Sequence, residues 1–209
     1  MKNYSIYLIR HGSTDANETG QYIGSTDMPL SHKGKENLRY FKKKYSYPQA
    51  ELYYTSPLVR CVETTKILYP KSSPIVINGL AECDFGMWEG HTAQELSHIP
   101  MFRDYVSGKS NISPPNGESS KDFTFRIAST FETIVNTMMQ TGKTSVVIVT
   151  HGGVISTLLA LYALPRGSFY DWIAEPGQGF SVRTIPSLWS RDRVVEVFSR
   201  IPFLKNGQP

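Results

Sequence analysis

Short apolar segments alternate along the chain with segments whose apolar residues recur at helical spacing. Runs rich in β-branched and aromatic residues predict strands at residues 4–9, 51–55, 74–77, 145–150, 179–185 and 193–198. Helical spacing and capping signals predict helices at residues 33–45, 57–69, 119–140 and 152–162, with short helices between residues 92 and 106. Strands that alternate with helices favour a three-layer α/β/α domain with a mostly parallel sheet.

Some of these elements carry strong local signals. Ser31 is typical of a helix N-cap, and Ser56-Pro57 places a cap and a first-turn proline before the second helix. The continuous β-branched run at residues 146–149 is typical of a central parallel strand. The longest predicted helix carries one apolar stripe, formed by Phe123, Ile127, Phe131, Ile134 and Met138.

The segments between these elements carry turn signals. Residues 12–29 predict a loop with one helical turn, and residues 78–90 an irregular segment. We also expect loops at residues 108–117 and between the last two strands, around Pro186 and Trp189, and a frayed end at residues 206–209. No repeat or low-complexity tract interrupts the pattern, so we expect one domain over residues 1–209.

Composition excludes several functional classes. The 209 residues are 40% apolar and 19% charged, which is ordinary for a globular protein. The net charge of +4 is scattered, and Lys42-Lys43-Lys44 is interpreted as a solvated helix face, so we expect no nucleic-acid partner. Cys61 and Cys83 form no metal-ligand or redox spacing. Without an apolar signal core or a stretch of about 20 apolar residues, we expect a soluble cytoplasmic protein with no membrane partner.

Two histidines follow predicted strands. Arg10-His11-Gly12 ends the first strand, and His151-Gly152 follows the strand at residues 145–150. Ligands of open α/β sheets bind outside the carboxyl ends of the strands, so both histidines could reach one ligand. The arginine beside the first histidine indicates that this ligand is an anion.

The chain also contains the other groups that a phosphomonoester requires. Phosphoryl transfer needs fixed cations, a nucleophile and a proton donor for the leaving oxygen. Arg60 lies in the first turn of a predicted helix, where an N-terminus already favours anions, and arginine can bridge two phosphate oxygens. Asn17 lies in the first loop, and Gly24 permits close backbone approach to the ligand. Glu82 is the candidate proton donor.

Other acids and histidines lie near these candidates in the sequence. Asp84 is interpreted as the cap of a turn, and Glu118 as a residue that fixes a helix start or a neighbouring arginine. Either acid, or Glu89, remains an alternative to Glu82. Cys61 is expected to be a small buried residue. We expect the remaining histidines at the surface: His32, His91 and His98.

Several motifs occur in a fixed order between residues 4 and 160. They are Arg10-His11-Gly12, Asn17, Ser56-Pro57-Leu58-x-Arg60, Leu80-x-Glu82, Phe85-Gly86-x-Trp88-Glu89-Gly90, Pro115-Asn116-Gly117-Glu118-Ser119 and Thr150-His151-Gly152-Gly153. This set resembles the histidine phosphatase superfamily, which contains the cofactor-dependent phosphoglycerate mutases. The resemblance implies the phosphoglycerate mutase-like α/β/α fold.

The resemblance also implies a mechanism. Neutral His11 attacks phosphorus and forms a phosphohistidine, while Arg10, Arg60 and His151 hold the phosphoryl oxygens with help from Asn17. Glu82 protonates the leaving oxygen and then activates the water that hydrolyses the intermediate. Gly24 and Gly152 belong to the substrate-binding set. The resemblance implies no metal and no cofactor.

The motifs indicate the reaction more specifically than they indicate the substrate. The segments around Arg10-His11 and Glu82 are most similar to α-ribazole phosphatases of cobalamin biosynthesis, although broad-specificity phosphatases share them. The interval between Glu82 and His151 is shorter than in the mutases, which favours water access and hydrolysis. A phosphoglycerate mutase and a non-catalytic regulatory domain remain alternatives, and a homodimer stays open. The candidates to contact a leaving nucleoside are Tyr22, Phe85, Met87 and Trp88, although core positions for Phe85 and Trp88 are favoured.

Overall fold

The computed structural model describes residues 2–108 and 112–205. Its strands are β1 (Tyr4–Arg10), β2 (Tyr45–Ser46), β3 (Leu52–Thr55), β4 (Ile75–Val76), β5 (Ser145–Thr150), β6 (Ala163–Leu164), β7 (Gly179–Thr184), β8 (Val195–Ile201) and β9 (Phe203–Leu204). Its α-helices are α1 (Asp15–Thr19), α2 (His32–Lys44), α3 (Val59–Leu68), α4 (Ala93–Leu96), α5 (Pro100–Val106), α6 (Ser120–Thr141), α7 (Gly152–Tyr162) and α8 (Pro186–Asp192). Short 3-10 helices span Asn78–Leu80, Gly86–Trp88 and Phe169–Trp172.

The main sheet has the strand order β4-β3-β5-β1-β7-β8-β6 within the described part of the chain. β5 pairs in parallel with both β1 and β3, and β3 pairs in parallel with β4. β7 runs antiparallel to both of its neighbours, whereas β6 and β8 are parallel. The prediction of a mostly parallel sheet is confirmed, and β5 is one of its central strands. β2 and β9 form a separate small sheet.

The main sheet is covered on both faces around β5. Alternate β5 residues Val146 and Ile148 join a buried cluster that contains the predicted apolar stripe of α6 and several residues of α7. Val147 and Val149 point to the other face, into a cluster with Leu38 of α2 and residues of α3. Full burial of each such side chain contributes about 1.5–3 kcal/mol, which explains why β5 is apolar at successive positions. The three-layer prediction is confirmed.

The start of α3 differs from the prediction that Ser56 and Pro57 open this helix. The helix begins at Val59, and Leu58 occupies the N-cap without a side-chain hydrogen bond. Ser56 instead directly follows β3, and its N–H donates to the Val149 carbonyl at 3.0 Å. The backbone N–H of Val59 donates to the carboxylate of Asp27 at 2.7 Å, so a distant loop caps the helix. The prediction of Ser56 as a cap is therefore wrong.

The connection between β7 and β8 also differs from the prediction, because α8 replaces the expected loop. Pro186 occupies its first turn, and Trp189 is buried against the rings of Phe131 and Tyr162. Burial of this tryptophan stabilises a short helix that its own sequence indicates weakly. The predicted frayed end at residues 206–209, and residues 109–111 of the predicted loop, lie outside the described residues. None of the described helices is long and apolar enough to cross a membrane.

Candidate active site

The pairing of β1 with β5 brings the two predicted histidines together. Arg10 lies opposite Thr150 at the carboxyl ends of these parallel strands, so His11 and His151 leave the sheet side by side. Their ring centroids are 5.1 Å apart, with an angle of 62° between the ring planes. The site therefore forms at the edge of the sheet where ligands of α/β folds bind.

His11 has a fixed tautomer and a neutral ring. Its side chain is only 5% exposed, and Nδ1 lies 2.7 Å from the carbonyl oxygen of Gly12. A carbonyl can only accept, so Nδ1 carries the hydrogen and Nε2 keeps a free lone pair. Burial, followed by the charges of Arg60 and Arg10, holds the pKa of His11 well below its usual value of 6.5. The ring is thus a neutral base with one nucleophilic nitrogen.

Arg60 is a buried cation whose guanidinium is held by hydrogen bonds. It is 1% exposed, and Nη1 and Nη2 donate to the carbonyl oxygens of Thr26 (2.9 Å) and Gly24 (2.7 Å). Burial lowers its pKa, but a guanidinium remains charged in proteins. We expected Gly24 to let the backbone approach a ligand closely. The backbone of Gly24 instead packs against the carbonyl oxygen of Cys83, which a Cβ at this position would overlap.

Arg10 supplies a second cation with a buried donor that has no acceptor. Its Nη1 donates to the Ala174 carbonyl at 2.8 Å, while its buried Nε finds no partner among the described residues. Burial lowers the pKa of Arg10, and attraction to Glu82 and Glu175 partly offsets this effect. A Cβ at Gly152 would lie 3.3 Å from Arg10 Nε, so the small residue leaves space beside this donor. A buried donor without a partner is what an anionic ligand would satisfy.

Asn17 has a structural role that limits how it can bind a ligand. Its side-chain oxygen accepts from the N–H and hydroxyl of Thr14, both at 3.1 Å, in the capping box of α1. The side-chain nitrogen is therefore the atom left for an acceptor. Asn17 and Arg10 both line a cavity of about 550 Å³.

Glu82 is tied by a hydrogen bond to the first turn of α7, which directly follows His151. Its Oε2 accepts from the N–H of Gly153 at 3.0 Å, and its Oε1 from the N–H of Cys83 at 3.1 Å. Burial raises the pKa of Glu82 above its usual value of 4.5, although these hydrogen bonds and two arginines oppose the shift. A Cβ at Gly153 would lie 2.6 Å from Glu82 Oε1. The sequence analysis missed Gly153 as a site residue, although the Gly-Gly pair after His151 was a visible signal.

The predicted role of Glu118 is confirmed. Its carboxylate accepts from Nε (2.8 Å) and Nη2 (2.6 Å) of Arg126. The same guanidinium donates to the carbonyl oxygens of Gly79, Ala81 and Glu82. Glu118 thus orients the arginine that holds the Glu82 segment against α6.

The other nearby acids are also engaged with the backbone. Asp84 accepts from the N–H of Gly86 at 2.8 Å and caps a turn, as predicted. Glu89 accepts from the N–H groups of Ser25 (2.7 Å) and Thr26 (2.8 Å), which fixes the first loop. Cys61 is buried, as expected. The histidines predicted at the surface are exposed: His32, His91 and His98.

A cavity of about 400 Å³ adjoins Glu82 and is largely aromatic. Its rings belong to Tyr22, Phe85, Tyr105, Phe123, Phe169 and Tyr170. The Tyr170 hydroxyl donates to the Val106 carbonyl at 3.0 Å and joins two parts of the wall. No lysine or arginine lies among the described residues of the lining. The cavity can therefore accept a flat, uncharged group next to the carboxyl of Glu82.

Two of the four predicted leaving-group contacts do not line this cavity. Trp88 is only 2% exposed and packs against Phe102 and Tyr105, which confirms the core interpretation. Met87 is 65% exposed and lies outside the lining. Tyr22 and Phe85 do line it. The sequence analysis missed Tyr105, Phe169 and Tyr170, because they come from segments that carry no motif.

Known proteins share this fold and match most of the length of this chain. The family model for the histidine phosphatase superfamily (branch 1) matches residues 6–184. The adenosylcobalamin/alpha-ribazole phosphatase of Salmonella typhimurium is 27% identical over 207 residues, covering 96% of each chain. The glucosyl-3-phosphoglycerate phosphatase of Mycolicibacterium vanbaalenii is 30% identical, covering 86% of this chain and 82% of the relative. The structure of the alpha-ribazole phosphatase from Shigella flexneri superposes with a TM-score of 0.78 at 23% identity, covering 98% and 100% of the two chains. The chain belongs to branch 1 of the histidine phosphatase superfamily.

Proposed function

We propose that this protein hydrolyses a phosphomonoester in two steps, with His11 as the nucleophile. The Nε2 lone pair of His11 attacks phosphorus, and the bond to the leaving oxygen breaks as phosphohistidine forms. Water then attacks the phosphohistidine, which releases inorganic phosphate and restores neutral His11. The observation that carries this proposal is the contact of 2.7 Å between Nδ1 of the buried His11 and the Gly12 carbonyl oxygen, which leaves Nε2 as the free ring nitrogen beside two arginines.

The two arginines are proposed to bind the phosphoryl oxygens. Arg10 has a buried N–H without an acceptor, and Arg60 is held rigidly by two carbonyl groups. Preorganised cations in a dry site stabilise the charge that develops on the transferring group without further reorganisation. The side-chain nitrogen of Asn17, on α1, is proposed to assist them.

Glu82 is proposed to move the protons of both steps. Its raised pKa favours the protonated acid that the leaving alkoxide needs in the first step. The carboxylate produced then removes a proton from the attacking water. The N–H groups of Gly153 and Cys83 hold the carboxylate of Glu82 in place. The same carboxyl group can therefore donate a proton in the first step and accept one in the second.

For the substrate we propose α-ribazole 5′-phosphate, whose leaving group is a nucleoside. The aromatic cavity beside Glu82 offers flat apolar surfaces to such a group. A leaving group with a carboxylate, as in 3-phosphoglycerate, would enter that cavity without a lysine or arginine among its described lining residues. Burial of an unpaired charge is costly, so the lining favours the neutral nucleoside. The Salmonella relative bears the corresponding name.

A panel of phosphomonoesters assayed in EDTA tests both parts of the proposal. It should contain α-ribazole 5′-phosphate, 3-phosphoglycerate, phosphoserine and an aryl phosphate. We expect hydrolysis without added metal and the highest kcat/KM for α-ribazole 5′-phosphate. Equal kcat/KM values across the panel would indicate a broad-specificity phosphatase, and transfer between positions of phosphoglycerate would indicate a mutase. Loss of all activity in EDTA, restored by a divalent metal, would contradict the mechanism.

A further inference from the structure

Thr150 is the last residue of β5, and it contacts two segments of the candidate active site. Its backbone carbonyl accepts from the N–H of His11 at 2.9 Å, and its side-chain hydroxyl donates to the carbonyl of Leu80 at 2.8 Å. Leu80 lies two residues before Glu82 in the chain. Thr150 is fully buried, so both contacts lie away from solvent. One residue therefore joins the segment of the proposed nucleophile to the segment of the proposed acid.

The hydroxyl of Thr150 is a feature that its place in the strand does not require. Val146 and Ile148 precede it on the same face of β5, and both are apolar and fully buried. Valine has the same shape as threonine and would extend this apolar row. Burial of a hydroxyl costs free energy unless it is hydrogen-bonded, and the Leu80 carbonyl supplies the acceptor. The contact with Leu80 is thus the chemical difference that threonine makes at this position.

Side chains hold the main chain of the segment that carries the proposed acid. Four consecutive carbonyl groups, at residues 79–82, accept hydrogen bonds from side chains. Three of them accept from Arg126 of α6, whose side chain is 28% exposed. The fourth, that of Leu80, accepts from Thr150, which is fully buried at the end of a central strand. The Thr150 hydroxyl therefore ties this segment directly to the main sheet.

We propose that Thr150 is a positioning residue whose hydroxyl sets the place of the acid Glu82 relative to the nucleophile His11. The proposal rests on the proposed function, in which these two groups act on the same phosphomonoester. It deepens that function by one residue, which acts through the main chain at Leu80 rather than on the substrate.

Loss of the hydroxyl should displace Glu82 without removing it. Valine at position 150 would leave the buried Leu80 carbonyl without this donor, and an unpaired buried carbonyl is unfavourable. The segment would shift to reduce this cost, and the carboxyl group two residues later would move with it. A misplacement of about 1 Å can lower a rate by about a hundredfold. Proton transfer by Glu82 should therefore slow, whereas attack by His11 should not.

The first measurement compares leaving groups in Thr150→Val. An alkyl phosphate needs protonation of its leaving oxygen, so we expect its kcat/KM to fall by about tenfold to a hundredfold. Single-turnover phosphorylation by an aryl phosphate needs little protonation and should change little. Thr150→Ser keeps the hydroxyl and should restore the wild-type ratio of the two rates. Equal losses for both leaving groups, or a ratio that Thr150→Ser does not restore, would overturn the proposal.

Hydrogen exchange measured by NMR reports the same displacement without turnover. The N–H of Cys83 donates to Oε1 of Glu82, so it should exchange slowly in the wild type and faster in Thr150→Val. The hydroxyl proton of Thr150 should also exchange slowly in the wild type, because it is buried and bonded to a carbonyl. A rapidly exchanging hydroxyl proton would contradict the proposal without any variant having to fold.

Thr184→Val is the matched control. Thr184 is the last residue of β7, it is buried, and its hydroxyl donates to the Val194 carbonyl at 2.9 Å. It pairs with Tyr4, at the opposite end of β1 from His11. This variant should lose stability in thermal unfolding but keep the leaving-group ratio and the exchange rate at Cys83. A changed ratio in Thr184→Val would assign the effect to general loss of stability and would remove the specific role of Thr150.

Two results separate this proposal from the proposed function. If the wild type hydrolyses no phosphomonoester while Thr150→Val still raises the exchange rate at Cys83, the proposed function fails and the positioning of Glu82 by Thr150 stands. If the wild type is an active phosphatase and Thr150→Val keeps both the leaving-group ratio and the exchange rate, the positioning role fails and the proposed function stands.

Discussion

The carboxylate of Glu82 accepts a hydrogen bond from the backbone N–H of Gly153 at 3.0 Å. This contact ties the proposed proton donor to the turn that directly follows His151. A Cβ at Gly153 would lie 2.6 Å from Oε1 of Glu82, so a larger residue there would displace the carboxylate from this position. The acid and the second histidine therefore occupy fixed positions relative to each other.

His11→Ala should remove essentially all turnover while the protein stays folded, because the proposed covalent intermediate forms on Nε2 of His11. Incubation of the wild type with ³²P-labelled substrate should give acid-labile, base-stable label on His11. His32→Ala is the matched control, since His32 is an exposed histidine on α2 and should be silent. Substantial turnover by His11→Ala would refute the covalent mechanism.

Glu82→Gln should discriminate between leaving groups. The amide keeps the size of the side chain but cannot donate and recover a proton, so alkyl phosphates should slow by about a hundredfold or more. Single-turnover phosphorylation by an aryl phosphate should slow much less, because its leaving group needs little protonation. Asp84→Asn is the control and should leave this ratio unchanged, because Asp84 holds a turn. Equal losses for both leaving groups would assign the proton donor elsewhere.

The pH dependence of kcat for an alkyl phosphate should follow two shifted groups. Protonation of His11 stops attack, and burial with two arginines lowers its pKa, so the acidic limb should lie below pH 6.5. Deprotonation of Glu82 removes the acid, and burial raises its pKa, so the alkaline limb should lie above pH 4.5. Activity should peak between the two limbs, and the alkaline limb should disappear in Glu82→Gln. An acidic limb at or above pH 6.5 would contradict a buried neutral His11.

Truncation of Tyr170 and of Trp88 should have opposite signatures. Tyr170 is a largely exposed wall of the aromatic cavity, so Tyr170→Ala should lower kcat/KM for α-ribazole 5′-phosphate far more than for ethyl phosphate. Trp88 is buried core, so Trp88→Ala should cost about 3–5 kcal/mol of unfolding free energy and affect both substrates equally. Thermal or urea unfolding, measured beside both kcat/KM values, separates the cases. A substrate-selective loss in a stable Trp88→Ala would restore Trp88 as a ligand contact.

Arg126→Met should weaken both stability and catalysis. Its guanidinium holds three carbonyl groups of the Glu82 segment and the partly buried carboxylate of Glu118, so we expect a loss of about 1–3 kcal/mol and a lower kcat. Arg183→Met is the control, because Arg183 pairs with Glu196 on an exposed face and should lose at most about 1 kcal/mol. Unchanged kcat in a measurably destabilised Arg126→Met would show that the Glu82 segment keeps its position without this residue.

The sequence by itself determined the position of most elements and the chemical groups of the site. The apolar stripe of α6 and the β-branched run of β5 are periodic signals that extend over many residues, and each is buried as predicted. Arg10, His11, Arg60, Glu82 and His151 lie within short local motifs, so they could be named without knowing where the strands meet. These patterns predict structure from the sequence alone because they involve residues that are close to one another along the chain.

Tertiary structure alone decided the contacts between distant segments. The order β3-β5-β1 places Ser56 beside His151, so a residue whose local sequence favours a helix cap is instead a hydrogen-bond partner of the second histidine. The helix α8 is stabilised because Trp189 is buried against Phe131 of α6 and Tyr162 of α7. The aromatic cavity draws Tyr105 and Tyr170 from separate segments that carry no motif. These features depend on distances across the folded chain, which the spacing of residues along the sequence does not encode.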